Sequence, residues 1–486
     1  MPAPPLSAAR RRFIIVVLAF SAYWPTLKMG FLWDDHVMIE TNARIQHWSW
    51  HNLRTDFTSD AFEGRGDAYY RPAQLFANRL DYSLWGLRPF GFHLTNFAAH
   101  AANAILVDAL IIAFGFSPLT ALLCATLFAV HPIAVEQLMI IAGRAELFGM
   151  TCTLGALLAL LQPGAWPWIA APLIYFIGLL FKESAIVVPL LAALCFYLTS
   201  SPGRRYLRLL PLAAVTLPYW ILRKAAVGPA WPPIASRWVV FFFFKAFPAV
   251  LLRYLALIIF PWNLHSHRMM PHLTHAWPIL LAMLIVAGVY FYFQNRRLAA
   301  FCLGWYVACF LPKTPGMFYG NFMLDHWAYP ALVGVVLPMA VLFTYLWEHH
   351  DDRIMRKALA SLYFIFLIAW ALLVHLNVAL RGSDEKMYRW ALHFTESHPI
   401  KYNLGALLLQ TGRPGEAIAY LDEVYQDDPT NVADVNALAQ ACCQVGDCRR
   451  AAMLLEALLL RKPGDRLTLQ NLAVARAAQA SSHRRR

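Results

Sequence analysis

The sequence predicts an all-α chain: a polytopic membrane helical bundle followed by an α-helical solenoid. Three observations carry that expectation. Of 486 residues, 59% are hydrophobic and 14% charged, where a soluble domain carries about a quarter charged residues. Several apolar runs reach the length of about 20 residues that a bilayer-spanning helix needs. After residue 380 the composition turns abruptly to a charged, Ala/Leu-rich stretch with a period of 34. A single soluble domain and a disordered chain are both excluded. Lys+Arg 41 against Asp+Glu 28 leaves a net charge of +13, which in such a chain points to anionic headgroups and cytoplasmic loops. No nucleic-acid-binding signature is present, and no nucleic acid is expected as a partner.

In chain order, Arg10-Arg11-Arg12 precedes an apolar run from Phe13. With no small-residue cleavage site after it, this reads as an uncleaved first span with a cytoplasmic N-terminus. Residues 33–90 form the first extracytoplasmic loop. Further spans are expected near 91–114, 117–131, 143–162, 166–181, 184–200, 207–224, 238–260, 276–294, 298–312, 327–347 and 357–379. The basic clusters at Arg10–Arg12, Arg204-Arg205-Arg208, Arg296-Arg297 and Arg353-Arg356-Lys357 belong on the cytoplasmic side. Parity then requires that 238–260 not cross once but lie in the interface or re-enter, leaving about 11 crossings. That places the C-terminal domain outside the cytoplasm, periplasmic if the chain sits in a bacterial inner membrane. The expected domains are 1–381 in the membrane and 382–486 outside it.

Within 382–486, Leu404-Gly405, Gly412, Ala417, Leu421 and Pro429 recur as Leu438-Ala439, Gly446, Ala451, Leu455 and Pro463. Small residues at these positions let paired helices cross closely and the proline closes each unit, as tetratricopeptide repeats require. Two repeats (398–431 and 432–465) and a capping helix (466–480) follow, a module that holds a peptide or protein partner. Five cysteines, Cys124, Cys152, Cys195, Cys302 and Cys309, fall in spans as small apolar side chains. Cys442, Cys443 and Cys448 flank a repeat turn, where a disulfide to Cys448 and three free thiols stand as equal alternatives.

The chemistry-bearing residues cluster at span ends. Asp34 and Asp35 follow Trp33 at the mouth of the first helix, where paired carboxylates are costly unless solvated, paired or functional. Tyr69-Tyr70-Arg71-Pro72 sets one cation beside a stiff turn. His93, Asn96 and His100 share a helical face suited to hydrogen bonding. His131-Pro132 ends a helix and leads to Glu136, Arg144 and Glu146. Lys182 and Glu183 are adjacent between two spans and diverge by about 100° on a helix, so each meets a different partner. Lys313 and the Asp325–Pro330 segment follow. The histidines 265, 267, 272 and 275 read as an exposed interfacial loop, and no metal is assigned. In the expected topology all these clusters face one side. There a carboxylate takes the proton of an attacking hydroxyl, and cations stabilise a departing phosphate. The activated sugar on that face would be a membrane-held polyprenyl-phosphate sugar.

The ordered motifs Trp-Asp-Asp, Tyr-Arg-Pro, Gly-Phe-His-Leu-Thr-Asn-Phe-Ala-Ala-His, Phe-Ala-Val-His-Pro, Gly-Arg-Ala-Glu-Leu and Lys-Glu-Ser resemble the transmembrane and tetratricopeptide-repeat protein O-mannosyltransferases and their bacterial relatives, of the C-type glycosyltransferase superfamily (GT-C). The resemblance implies an inverting transferase acting on a polyprenyl-phosphate sugar at the extracytoplasmic face, with a secreted protein or an envelope glycan as acceptor. It implies Asp34 and Asp35 as the catalytic element. Tyr70, Arg71, His93, His131, Glu136, Arg144, Lys182 and Glu183 are implied to line the same face. Arg71, Arg144 and Lys182 are expected at phosphate, with Glu136 and Glu183 orienting them. The late acid–Arg–Tyr element of that family has no Arg in Asp325–Tyr329. A polysaccharide ligase or polymerase and a non-catalytic scaffold are the competing readings. A transporter is disfavoured by the absence of matching halves.

Overall fold

The computed structural model describes residues 6–62, 69–228, 239, 242–270, 295–320 and 322–484, and they are overwhelmingly helical. They divide into two compact units, one of residues 1–264 and 270–379, the other of 265–269 and 380–486.

Four helices of the described residues are long and apolar enough to cross a bilayer: Pro89–Ala113, Ile141–Leu161, Leu332–His349 and Arg353–Arg381. Pro118–Val130 with Pro132–Met139 makes a fifth candidate, bent by 45° at His131. The chain is thus a multi-pass membrane protein. Shorter apolar helices, among them Pro167–Phe181, fill the spaces between. The expected crossing at 238–260 is, within the described residues, a π-helical turn Phe242–Ala246 leading into the 13-residue helix Phe247–Ile259. At 1.5 Å per residue that helix is about 20 Å long, short of the roughly 30 Å hydrocarbon core. The expected span 276–294 lies outside the described residues.

Broken helices inside an apolar bundle leave carbonyls that must find donors, because no water reaches them. Here the donors come from one face of Pro89–Ala113. His93 bonds the Leu138 carbonyl at 2.9 Å and the Gly30 carbonyl at 3.2 Å. Asn96 Nδ2 donates to Gln137 and Ile141, His100 meets the Ala129 carbonyl at 3.0 Å, and Asn103 donates to Leu147 at 2.9 Å. All four side chains are fully buried. The expected hydrogen-bonding face is therefore a ladder with a definite task. It satisfies the backbone freed where the chain bends between Ala129 and Leu147.

Two helices of the 33–90 loop are also polar inside. Arg79 of Pro72–Trp85 pairs with Asp56 of Trp50–Thr58 at 2.6 Å with both side chains buried. Gln74 and Asn78 are buried on the same side of the helix, while Phe76, Leu80 and Leu84 are exposed on the other.

In the second unit the helices His398–Gln410, Pro414–Asp427, Val432–Gln444 and Cys448–Arg461 make two helical pairs, and Arg466–Arg484 follows as a single helix longer than the anticipated cap. The 34-residue period has a packing cause: a Cβ at Gly405 would sit 2.6 Å from Leu421 Cγ across the first pair. His265, expected in an exposed loop, is buried and stacked on Phe394 with ring centroids 5.0 Å apart. An aromatic partner nearby in space, invisible in the local spacing, is the reason; His272 and His275 lie outside the described residues. The three repeat cysteines are free thiols, and Cys448 Sγ lies 3.8 Å from the Cys443 carbonyl.

Substituting Gly405→Val in the full-length protein is expected to destabilise the first helical pair by about 1–3 kcal/mol through overpacking, read as earlier proteolysis within residues 380–486 while the membrane unit stays intact.

Candidate active site

The acid pair follows a tight turn entered through Trp33, whose φ of 50° is a left-handed conformation that a bulky residue adopts at a cost of about 1–3 kcal/mol. The two carboxylates differ sharply. Asp35 is fully buried and accepts three backbone N–H groups: Leu32 and Ile141 at 3.0 Å on Oδ2, and Ala142 at 2.7 Å on Oδ1. Burial pushes its carboxyl up to about 7, against the pull of those donors and with Asp34 adding repulsion. Asp34 is half-exposed. Asp35 therefore staples the loop to the 140–143 turn, while Asp34 keeps part of its surface accessible.

That turn is where the site is assembled. Gln74, one turn into Pro72–Trp85, donates to the Ala142 carbonyl at 2.9 Å, so Asp35 and the Arg71-Pro72 corner bind the same peptide segment. A Cβ at Gly143 would fall 2.9 Å from Gln137 Cα, so only glycine permits this close turn. The helix Arg144–Leu161 begins next, and its first turn carries Glu146.

Glu146 is the hub of a buried ionic cluster. Its Oε2 meets Lys182 Nζ at 2.5 Å and Lys313 Nζ at 2.9 Å, and Ser184 Oγ donates to Oε1 at 3.4 Å. Arg71 pairs with Glu183 at 3.3 Å and lies over the Tyr69 ring, its Cζ 4.4 Å from the centroid. Adjacent Lys182 and Glu183 do meet different partners, Glu146 and Arg71. The cluster holds three cations and two carboxylates, one positive charge in excess. Its charges come from four separate chain segments. It is less exposed at Arg71, where 11% of the side chain is accessible, than at Glu183, with 38%.

The structure brings Tyr70, Arg71, Lys182 and Glu183 to this cluster, and links Asp35, next to Asp34 in the chain, to it through the 140–143 turn. It sends the other sequence-derived candidates elsewhere. Arg144, expected at phosphate, is fully buried; it donates to Asp81 at 2.7 Å, to Asn96 at 3.1 Å and to the Phe92 carbonyl at 3.2 Å. Glu136, expected to orient one of the three cations, meets His326 Nδ1 at 2.8 Å. His93 and His131 bond backbone carbonyls, His131 that of Ile258 at 2.8 Å, and act as caps for bent helices. Glu146, Lys313 and His326 complete these pairs after standing in the sequence clusters without an assigned role, and Asp81 was not singled out. Glu146 and Lys313 are 167 residues apart, and no spacing rule joins them. Among the described residues no group of three His, Cys, Asp or Glu is placed to hold a metal ion.

Comparison with known proteins agrees with both units. A family model described as tetratricopeptide repeat matches residues 408–474. The chain is similar to protein O-mannosyl-transferase Tmtc2 of Drosophila melanogaster, 34% identical over 191 residues, covering 36% of this chain and 20% of that protein. It is also similar to protein O-mannosyl-transferase TMTC3 of Mus musculus, 32% identical over 151 residues (30% of this chain, 16% of that one). TMTC4 of Homo sapiens, named likewise, is 28% identical over 181 residues, 33% of this chain and 24% of that protein. The matches thus span about a fifth of the length of these curated relatives.

Asp35→Asn turns one acceptor into a donor facing backbone N–H groups. It should cost about 1–3 kcal/mol and lower the melting temperature by several degrees in detergent.

Proposed function

We propose that this chain is a membrane glycosyltransferase that moves a sugar from a polyprenyl phosphate to a hydroxyl of a protein Ser/Thr or an envelope glycan, at the extracytoplasmic face and with inversion. The observation that carries the reading is the cation-rich cluster of Arg71, Lys182 and Lys313, gathered around Glu146 on the helix that begins just after the turn held by Asp35. The names of the curated relatives support transfer to protein and make mannose the first sugar to test.

Inverting transfer needs a base on one side of the anomeric carbon and a stabilised leaving group on the other. Asp34 accepts the proton of the acceptor hydroxyl as its oxygen attacks C1. The C1–O bond to phosphate breaks, its electron pair leaves with the polyprenyl phosphate, and the new negative charge develops beside the cations. Glu146 and Glu183 keep those cations in place and hold the site near neutrality, so that an incoming anion meets a small positive excess. In a site closed to water such an interaction is far stronger than at a surface. The repeats of residues 398–465 then serve to hold the acceptor or a partner protein.

The direct experiment is transfer from a radiolabelled polyprenyl-phosphate mannose by purified protein, paired with glycoprotein mass spectrometry of a deletion strain. Asp34→Asn should lower turnover by about 10²–10⁴-fold, the usual contribution of a general base, with membrane insertion unchanged. Retained turnover would favour a scaffold acting through its repeats. Lys313→Gln should lower turnover at least about tenfold, because a buried cation beside the leaving phosphate contributes more than 1.4 kcal/mol; an unchanged rate would remove Lys313 from the site.

A further inference from the structure

The cluster is flanked by polar groups that it does not use. Tyr70 and Tyr219 are each 1% exposed, their rings tilted against each other with centroids 6.0 Å apart. Both hydroxyls are buried and have no hydrogen-bond partner among the described residues, and the same is true of the Nε of neighbouring Arg71. Tyr219 belongs to the helix Leu209–Val227, which supplies none of the residues described above. It lies within electrostatic reach of Arg71, Glu183 and Arg223, and Arg223 is one turn further along its own helix. Buried hydroxyls normally find partners, since leaving one unmade costs about 1–3 kcal/mol. Two such hydroxyls and a guanidinium Nε left without partners beside a net positive cluster are a built feature.

The chemistry of those atoms restricts what they can hold. Arg71 Nε is a donor only, and a tyrosine hydroxyl below its high pKa has a proton to give. A ligand meeting all three must offer several acceptors close together and tolerate a positive field. A phosphoryl group does so; a neutral amide or an ammonium does not. We propose that Tyr219 is a phosphate-binding residue of this site, its hydroxyl acting with those of Tyr70 and the Arg71 Nε to hold the phosphoryl group of the lipid donor. This rests on the glycosyl-transfer reading above and adds to it a residue from a fifth chain segment. The cations supply charge, and the tyrosines supply direction at oxygens the lysines do not reach.

The test uses the full-length protein in detergent, with decaprenyl phosphate, phosphatidic acid and inorganic phosphate as separate probes, and affinity read by microscale thermophoresis. The expected result is that Tyr219→Phe and Tyr70→Phe each weaken decaprenyl phosphate binding roughly tenfold, the loss of one hydrogen bond to a charged group. The exposed control Tyr197→Phe should have no effect. Without ligand, Tyr219→Phe should melt at or above the wild-type temperature, because a hydroxyl with no protein partner leaves no bond behind. A merely structural hydroxyl would instead lower it. Wild-type binding that survives intact in Tyr219→Phe overturns this inference and leaves the transferase reading standing. Wild-type protein that fails to bind decaprenyl phosphate overturns both. Tyr219-dependent binding of phosphatidic acid alone would make the ligand a bilayer phospholipid and overturn the assignment to the donor.

Discussion

The membrane unit depends on the polar face of one apolar helix. Pro89–Ala113 places His93, Asn96, His100 and Asn103 against the stretch from Ala129 to Leu147, where the chain breaks its helices inside the bundle. A hydrocarbon surround would make each freed carbonyl cost several kcal/mol, so without the ladder the bends at His131 and at 140–143 would not persist. The bends in turn create the frame of the candidate site: the Ile141 and Ala142 N–H groups that hold Asp35, the glycine turn at Gly143, and the start of the helix that presents Glu146.

Around that scaffold the charges sort by burial. Pairs such as Arg144 with Asp81, or Arg79 with Asp56, are closed and balanced. Their role is to join helices at polar points, and removing one partner would strand a buried charge. The cluster of Arg71, Lys182, Glu183, Glu146 and Lys313 is different, because it is not balanced and Glu183 reaches an accessible edge. Two carboxylates holding three cations give a positive excess that is tolerable without ligand and attractive to an anion. The same economy separates the two aspartates. Asp35 is consumed by backbone donors, whereas Asp34 beside it is partly accessible and is the carboxylate proposed as the base.

The repeats show how small residues encode packing. Gly405, which faces the second helix of its pair, recurs as the buried Ala439; the period of 34 is the distance between such positions. Since every repeat touches mainly its neighbours, local sequence was enough to read this unit.

Much was legible in the residues alone. Composition determined that the chain enters a membrane, because only helices satisfy their own backbone there; periodicity determined the helical pairs, because packing between neighbours in sequence is a local property. The motifs at span ends drew attention to Asp34, Asp35, Arg71, Lys182 and Glu183 for a sound reason, the high cost of charge near lipid. That same cost applies equally to a charge held by a structural partner, which is why Arg144, Glu136, His93 and His131 looked alike in the sequence and turned out to serve Asp81, His326 and backbone carbonyls. Which cation meets which carboxylate is a matter of three-dimensional pairing across as many as 167 residues, and the side chains of Lys313 and Tyr219 acquire meaning only once distant helices converge. Tertiary structure alone decided those partnerships, because an ion pair or an unpartnered hydroxyl is defined by distance in space, and chain separation carries no information about it.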